Sequence, residues 1–523
     1  ERLKQPYWDR LYHVRNAFRL GASIEEVADI TRVDPWFLRQ IQLLVDVEQR
    51  LEATTLENLG ADLLREAKGH GFSDVQIAYL LDGDDVTEDD VREKREGAFG
   101  LRPTFRVVDT CAGEFEAQTP YFYSTYDQGE SESTRSDRPK VLILGSGPNR
   151  IGQGIEFDYS CVHGVLAARE LGYEAIMVNC NPETVSTDFD VADKLYFEPV
   201  FWERVRDILE LERPDGVVLQ LGGQTALKLA QRFVEYGLPI FGTPFERMDL
   251  AEDRGKFSRV LKELEIPFPP YGMARTVDEA VTVAEEIGYP ILIRPSYVLG
   301  GQGMRIAINK DEVAEYVANI LQLFPRNEIL LDRFLENAVE VDVDALSDGT
   351  EVHVVGIMQH IEPAGVHSGD STAVLPPYSL SDEVQATIRR YVAEIAQRLG
   401  VVGLINVQLA VKGETVYVIE ANPRASRTVP FVAKATGVTV AGIGTKLMLG
   451  EKLAGFRERG ALESTLVGYA VKEPVFSWEK FPEVNKELGP EMKSTGEAIA
   501  FVDDLTDEHF SKPYEMRNLY LSR

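Results

Sequence analysis

Hydrophobic and polar positions divide the chain into stretches of different period. As far as about residue 125 the period is helical. Asp34-Pro35 predicts a helix start, with Asp as cap and Pro at the first helical position. Leu38, Ile41, Leu44, Val47 and Leu51 follow at spacings of three and four, which predicts one buried face. No polar constellation stands out here, so packing or assembly is expected of the region. Residues 126–139 (YDQGESESTRSDRP) are polar and charged and read as a linker. From Val141 the texture changes: strand-like VLILG, AIMVN and GVVLQ alternate with helical stretches, as in an open parallel α/β sheet. A second α/β stretch covers 256–345, where YPILIRP leads into a glycine-rich loop, and 346–455 is rich in paired strands. The remainder, 456–523, ends in a charged, aromatic-containing tail with no readable fold.

Length and composition narrow the classes. A chain of 523 residues is too long for one compact core and implies roughly three or four domains. Lys and Arg total 55 against 85 Asp and Glu, a formal net charge of -30. That balance argues against nucleic acid, whose phosphates need a basic footprint. A single triphosphate site remains open, because a few local cations and backbone N–H groups suffice. Cys111, Cys161 and Cys180 form no CxxC pair, so neither a disulfide framework nor a thiolate zinc site is predicted. A reducing, cytoplasmic compartment fits that usage. Apolar runs are only a few residues long, so no membrane span is expected. Glu1, with no Met and no signal-like segment, points to a trimmed or processed piece.

Three constellations bear on chemistry. GSGPNRIGQG (145–154) follows a strand but fails the dinucleotide fingerprint: the third glycine position is Arg150, and the next strand ends in Asn179 rather than an acid. A tight turn and an anion site at the following helix both remain open for it. IRPSYVLGGQGMRI places Arg294 at a strand end before Gly300, Gly301 and Gly303, glycines that let backbone approach a phosphate while Arg294 offers a bidentate fork. GLINVQLAVKGETVYVIEANPRASR reads as a hairpin with 412–414 as its loop and Val411 paired to Thr415. Asn406 then lies opposite Glu420, with Gln408 diagonal to it, and Asn406, Gln408, Glu420 and Asn422 share one polar face. Ile405, Val407, Leu409, Ile419 and Ala421 take the other. An oxygen-rich face suits Mg²⁺, and Arg424 and Arg427 suit a developing phosphoryl charge. In HIEPAGVHSGDS, His360 and His367 flank a glycine-containing loop with no further ligand at zinc spacing, so His367 reads as a phosphate donor or proton-handling group.

Together these segments resemble the ATP-grasp fold and, more specifically, the carbamoyl-phosphate synthase large subunit. The strings are GSGPNRIGQGIEFDYS, NCNPETVSTDFD, GGQTALKLA, IGYPILIRPSYVLGGQGM, AVEVDVDA, HIEPAGVHSGDS and EANPRASRTVPFVAKATGV, in the family's order over about 140–440. The chain resembles the second of the family's two synthetase halves. VDTCAGEFEAQTPYFYSTY and the helical region are similar to the oligomerisation domain between the halves.

The resemblance implies an α/β fold: an α+β ATP-grasp with a preceding Rossmann-like pre-ATP-grasp domain, plus an N-terminal all-helical domain. The implied segments are 1–125 helical and oligomerisation-like, 126–139 linker, 140–255 pre-ATP-grasp, 256–345 lid, 346–455 metal and ATP binding, and 456–523 a C-terminal segment without the family's regulatory domain. The implied reaction is ATP-dependent phosphorylation of carbamate to carbamoyl phosphate, for pyrimidine and arginine pathways. Arg254, Arg294, Arg424 and Arg427 are expected to contact phosphates or the reacting anion, with His367 near the transferred group. Glu340 is expected at the ribose, and Gln408, Glu420 and Asn422 on two Mg²⁺ or Mn²⁺ ions. Gly300, Gly301 and Gly303 are expected in the lid, and Arg333, Leu335, Gly365, Val366, His367 and Ser368 along the nucleotide. The 360–368 loop is expected to help hold K⁺, and Glu156 to face the carbamate route. Implied partners are a first synthetase half, a glutaminase small subunit and copies of the chain, with no nucleic acid or membrane. The alternatives are another ATP-grasp carboxylase or ligase, or a catalytically silent nucleotide-binding assembly subunit.

Overall fold

The computed structural model describes residues 1–505 apart from 84, 128, 149–153, 296–302, 324–327 and 481. Two compact units result, Glu1–Ser136 with Glu203–Leu211, and Asp137–Trp202 with Glu212–Arg523.

In the first unit short helices are set by their caps. Ser23 and Ser73 form reciprocal capping boxes with Glu26 and Gln76, and Asp34 accepts from the Trp36 N–H at 2.7 Å ahead of Pro35. The helix Pro35–Glu52 buries Leu38, Val45, Val47, Glu48 and Leu51, whereas Leu44 is exposed. A single stripe was the wrong expectation, because the helix serves two cores. Leu38 and Val45 pack with Val14, Phe18 and Val27, while Val47 and Leu51 pack with Leu59, Leu64 and Ile77. The unit is not all helical either: β1 (Thr104–Val107) and β2 (Tyr121–Thr125) form an antiparallel pair. The stretch expected as a linker is partly held: Tyr126 is buried in this core, and Glu132 donates its N–H to Phe105 O at 2.7 Å. Buried charges are matched, Lys68 Nζ lying 2.8 Å from Asp74 and 2.5 Å from Glu203, with Arg95 2.9 Å from Asp74.

The second unit has three sheets. Parallel strands β3 (Lys140–Leu144), β4 (Glu174–Asn179), β5 (Lys194–Phe197) and β6 (Gly216–Val218) lie in the order β5-β4-β3-β6. They are buried on both faces and read as near-continuous apolar runs. The order reverses between β3 and β6, and a doubly wound sheet opens a crevice at the carboxyl ends of such neighbours.

An antiparallel sheet follows, made of β7 (Tyr271–Ala274), β8 (Ile291–Pro295), β9 (Arg305–Ala307) and β10 (Ile329–Arg333) in the order β7-β10-β8-β9. The helices Val277–Ile287 and Lys310–Leu323 close it, with Ala280, Ala284, Val313 and Val317 packed on Ile293 and Ile329.

The largest sheet holds β11 (Val339–Asp348), β12 (Val352–His360), β13 (Ala373–Leu375), β14 (Val402–Lys412), β15 (Thr415–Asn422), β16 (Tyr469–Val475) and β17 (Gly496–Val502). Their order is β15-β14-β11-β12-β13-β16-β17. β11 runs through residue 345, where the sequence texture suggested a change of subdomain, and part of the unreadable C-terminal stretch supplies β16 and β17. The helix Asp382–Leu399 covers one face, placing Ile388, Val392 and Ile395 on Val343, Ile405 and Val407. Each such fully buried aliphatic side chain contributes about 1.5–3 kcal/mol.

Candidate active site

β11 reads Val-Glu-Val-Asp-Val-Asp from Val339. Its valines point to the covered face, so period two sends Glu340, Asp342 and Asp344 to the other. Across the sheet Asp342 pairs with Gln408 and Asp344 with Asn406. On the far side Gln408 pairs with Glu420 and Asn406 with Asn422. Two transverse polar rows result, Asp342–Gln408–Glu420 and Asp344–Asn406–Asn422.

This corrects the expected hairpin register. Lys412 pairs with Thr415, so the loop is only Gly413 and Glu414, and the register shifts between Gln408 and Leu409. Ile419 is the extra residue of a β-bulge. Val416 and Val418 face the core, so strict alternation would have sent Glu420 inward with them. The bulge turns Glu420 out and returns Ala421 to the core, while Ile419 lines the cleft instead of joining the apolar face.

The polar face opens on a cleft of about 510 Å³. Arg294, Gln408, Glu420, Asn422, Arg424 and Arg427 line it, as do Glu340, Gly365, Val366, His367 and Ser368. Its opposite wall comes from the carboxyl ends of β3 and β6, through Ser146, Pro148 and Gly223. Gly145 is required there, since a β-carbon would lie 2.6 Å from the Asn179 side chain, whose Oδ1 accepts from the Gly147 N–H at 3.2 Å. Of the first glycine turn, Ser146, Pro148 and Gly154 therefore belong to this cleft. Arg254 stands behind it: the guanidinium donates to Asp332 at 2.9 Å and to Ile419 O, and lies over the Tyr271 ring. Arg333 and Leu335 are half-buried and do not line the cleft, and neither does Gly303. Gly300 and Gly301 lie outside the described residues.

Charges here are paired. Arg294 Nη2 donates to Glu420 Oε2 at 3.2 Å and Nη1 is 3.5 Å from Asp332. Asn422 Nδ2 donates to Glu420 Oε1 at 3.0 Å, and Arg424 Nη2 donates to Asn422 Oδ1 at 3.0 Å. Burial pushes the Glu420 carboxyl upward, but Arg294, Asn422 and Arg424 outweigh it and hold it below the usual range. Glu420 is therefore a carboxylate at neutral pH. Burial lowers His367, and Arg427 and Lys472 lower it further, to about 3. Its Nδ1 accepts from the Gly369 N–H at 3.0 Å, which leaves the proton of the neutral ring on Nε2. His360 is the opposite case. Burial disfavours its charge, yet Asp342 at 3.0 Å and Glu340 at 3.5 Å raise it to about 9. Asp344 is pushed up to about 6 by burial, despite hydrogen bonds from Thr428, Asn406 and Ser426.

The donor set fits a hard divalent ion that keeps waters and phosphate ligands: one ionised carboxylate with amide oxygens beside it. Among the described residues no group of three His, Cys, Asp or Glu is placed to hold a metal, which leaves no all-protein cage. Sequence reasoning assigned nothing to Asp332, Asp342, Asp344 or Gln220. The acid at every second position of a valine strand was the available signal for Asp342 and Asp344.

Comparison with known proteins decides the family. Residues 137–250 match the carbamoyl phosphate synthase preATP-grasp domain, 253–456 the ATP binding domain of the L chain, and 1–99 the oligomerisation domain of the large chain. The carbamoyl phosphate synthase large chain of Archaeoglobus fulgidus is 52% identical over 504 residues, 95% of this chain and 46% of that one. That of Pasteurella multocida is 53% identical over 490 residues, 94% of this chain and 45% of the other. The chain belongs to the carbamoyl phosphate synthase large-chain family. It spans about half the length of these curated relatives.

Solved structures agree on the ATP-grasp fold. The biotin carboxylase domain of Hydrogenobacter thermophilus 2-oxoglutarate carboxylase, solved with MgADP, ADP and bicarbonate, aligns with TM-score 0.55 at 20% identity, over 71% of this chain and 87% of that one. N5-carboxyaminoimidazole ribonucleotide synthetase in its ADP complex aligns with TM-score 0.55 at 15% identity, over 73% of this chain and 98% of the other. No helix among the described residues is long and apolar enough to cross a membrane.

Proposed function

We propose that this chain phosphorylates carbamate with ATP, as the second synthetase half of a carbamoyl-phosphate synthase. The observation that carries the reading is the convergence on one cleft of the Asp342–Gln408–Glu420 row, Asn422 and the guanidinium groups of Arg294, Arg424 and Arg427. Such a site suits a reaction in which the protein positions reactants and stabilises charge on a transferring phosphoryl group.

Gln408, Glu420 and Asn422 would hold Mg²⁺ or Mn²⁺, two ions per site, which would neutralise charge on the phosphates. Arg294 and Arg424 are already ion-paired or hydrogen-bonded to those same side chains, so both lie within reach of bound phosphate oxygens. Arg427, three residues after Arg424, lines the same cleft. His367, neutral with its proton on Nε2, donates to a phosphoryl oxygen without adding charge. Glu340 accepts from the ribose hydroxyls, and the Gly365–Ser368 backbone follows the nucleotide. Arg254 supports Arg294 through their shared Asp332. The 360–368 loop, with Glu340 beside it, would help hold K⁺. Glu156 would face the carbamate route: its Oε2 is buried without a hydrogen-bond partner among the described residues, beside Arg427 and Lys472 around a small cavity. A first synthetase half and a glutaminase small subunit would complete the assembly, with oligomerisation through residues 1–99.

The reverse reaction tests this directly. Carbamoyl phosphate and ADP with Mg²⁺ should give ATP above a heat-denatured control. No ATP above that control would overturn the carbamate reading.

A further inference from the structure

The loop carrying Arg424 and Arg427 is gripped from two sides by residues that do not touch the cleft. From below, Asp344 Oδ1 accepts from Ser426 Oγ at 2.7 Å and from Asn406 Nδ2 at 3.0 Å, while Oδ2 accepts from Thr428 Oγ1 at 2.6 Å. Ser426 Oγ in turn lies 2.8 Å from Thr428 Oγ1 and accepts from the Thr428 N–H at 3.2 Å. From the side, Gln220 follows β6. Its Nε2 donates to Pro423 O at 2.6 Å, and its backbone carbonyl accepts from the Ala425 N–H at 2.8 Å. Gln220 is locked in turn, accepting from the Thr243 N–H at 2.9 Å and donating to Thr243 Oγ1 at 3.1 Å. A β-carbon on Gly242 would overlap its Oε1. Asp344 and Gln220 are both fully or nearly fully buried.

We infer that Asp344 and Gln220 are positioning residues that together set residues 424–428, and so Arg427, at the cleft. The inference rests on the reading that this cleft transfers a phosphoryl group, but only for its kinetic half. The loop has no regular partner strand, and a guanidinium must be placed to within a fraction of an ångström to help a transition state rather than a ground state. Two rigid sheets supply that placement. Asp344 ties the loop to β11 and to Asn406 on β14, and Gln220 ties it to the carboxyl end of the parallel sheet. The same pair therefore couples the arginines to the polar rows on one side and to the opposite wall of the cleft on the other.

Asp344→Asn and Gln220→Met in the full chain test this. Both are close in size to the residue replaced, and each removes part of one grip. Amide exchange over residues 423–428 should accelerate about tenfold or more in either variant, while β14 keeps its protection. In the reverse reaction kcat should fall about tenfold or more, with KM for MgADP within about twofold of the parent. Exchange at 423–428 within about twofold of the parent in both variants would overturn the inference. So would a rise in KM for MgADP matching the loss in kcat. Should either variant fail to fold, Thr428→Val should loosen the same segment and Thr428→Ser, which keeps the hydroxyl, should not; equal exchange in the two would also overturn it. A parent chain that makes no ATP would sink the carbamate reading alone, since the exchange result stands apart from turnover.

Discussion

Gln408 on β14 and Glu420 on β15 are direct cross-strand partners because β15 carries one residue, Ile419, more than the pairing needs. Were Ile419 instead paired in strict alternation, Glu420 would take the parity of Val416 and Val418 and enter the apolar core. Deleting Ile419 would set Glu420 directly after Val418, on the cleft face and still opposite Gln408. The polar row is therefore expected to survive closure of the bulge, with a stability change of about 1 kcal/mol or less. Thermal unfolding of the deletion variant reads this, and a loss of several kcal/mol, the cost of an unpaired carboxylate among aliphatic side chains, would contradict it.

Glu420→Gln keeps the side-chain volume and removes the charge. Turnover with Mg²⁺ should fall about hundredfold or more, in line with losing a charged group from an electrostatic site. Circular dichroism should show the fold intact, because Arg294 retains Asp332. Unchanged activity would remove Glu420 from the metal set.

Asp332 holds Arg254 at 2.9 Å and Arg294 at 3.5 Å. Asp332→Ala leaves two largely buried guanidinium groups short of a partner and should cost about 3 kcal/mol. Asp332→Asn, still an acceptor, should cost less. Urea midpoints of the two variants compare them.

His360 supplies a pH dependence with a definite sign. Its folded value, raised to about 9 by Asp342 and Glu340, exceeds the unfolded value of about 6.5. The stabilisation is complete below about pH 6.5 and is lost as pH rises through about 9, amounting to about 3 kcal/mol at most. His360→Gln should be less stable than the parent at about pH 6, and the difference should shrink by about pH 10. A constant difference across that window would refute the assignment.

His367 behaves in the reverse sense. Held near 3 by burial and by Arg427, it stays neutral in the folded chain as pH falls below about 6.5, where the unfolded chain begins to take up the proton. Turnover between about pH 5 and 8 should therefore show no inflection belonging to His367. His367→Asn should lower kcat about tenfold while leaving the shape of the pH profile unchanged. An acid limb that vanishes in the variant would contradict a neutral donor.

The pattern of residues by itself determined the period of each stretch and the chemistry available to it. Asp34-Pro35 announced a helix start, and the runs at Val141, Ala175 and Gly216 announced buried parallel strands, because caps and apolar periodicity act over a few residues. The chemical types on β14 and β15 were equally plain, amides and a carboxylate facing one way. Tertiary structure alone decided which of them meet. Leu44 proved exposed because its helix divides between two cores, a fact set by neighbours distant in sequence. The Gln408–Glu420 pairing depended on a bulge, which is chosen by the fit of a whole strand against its partner. Asp332, Asp344 and Gln220 took their places through contacts distant along the chain, 78 positions from Arg254 to Asp332 and 203 from Gln220 to Pro423. Local order is written in short-range sterics and hydrogen bonding; a site is assembled where separate sheets pack, and only the packed molecule contains that information.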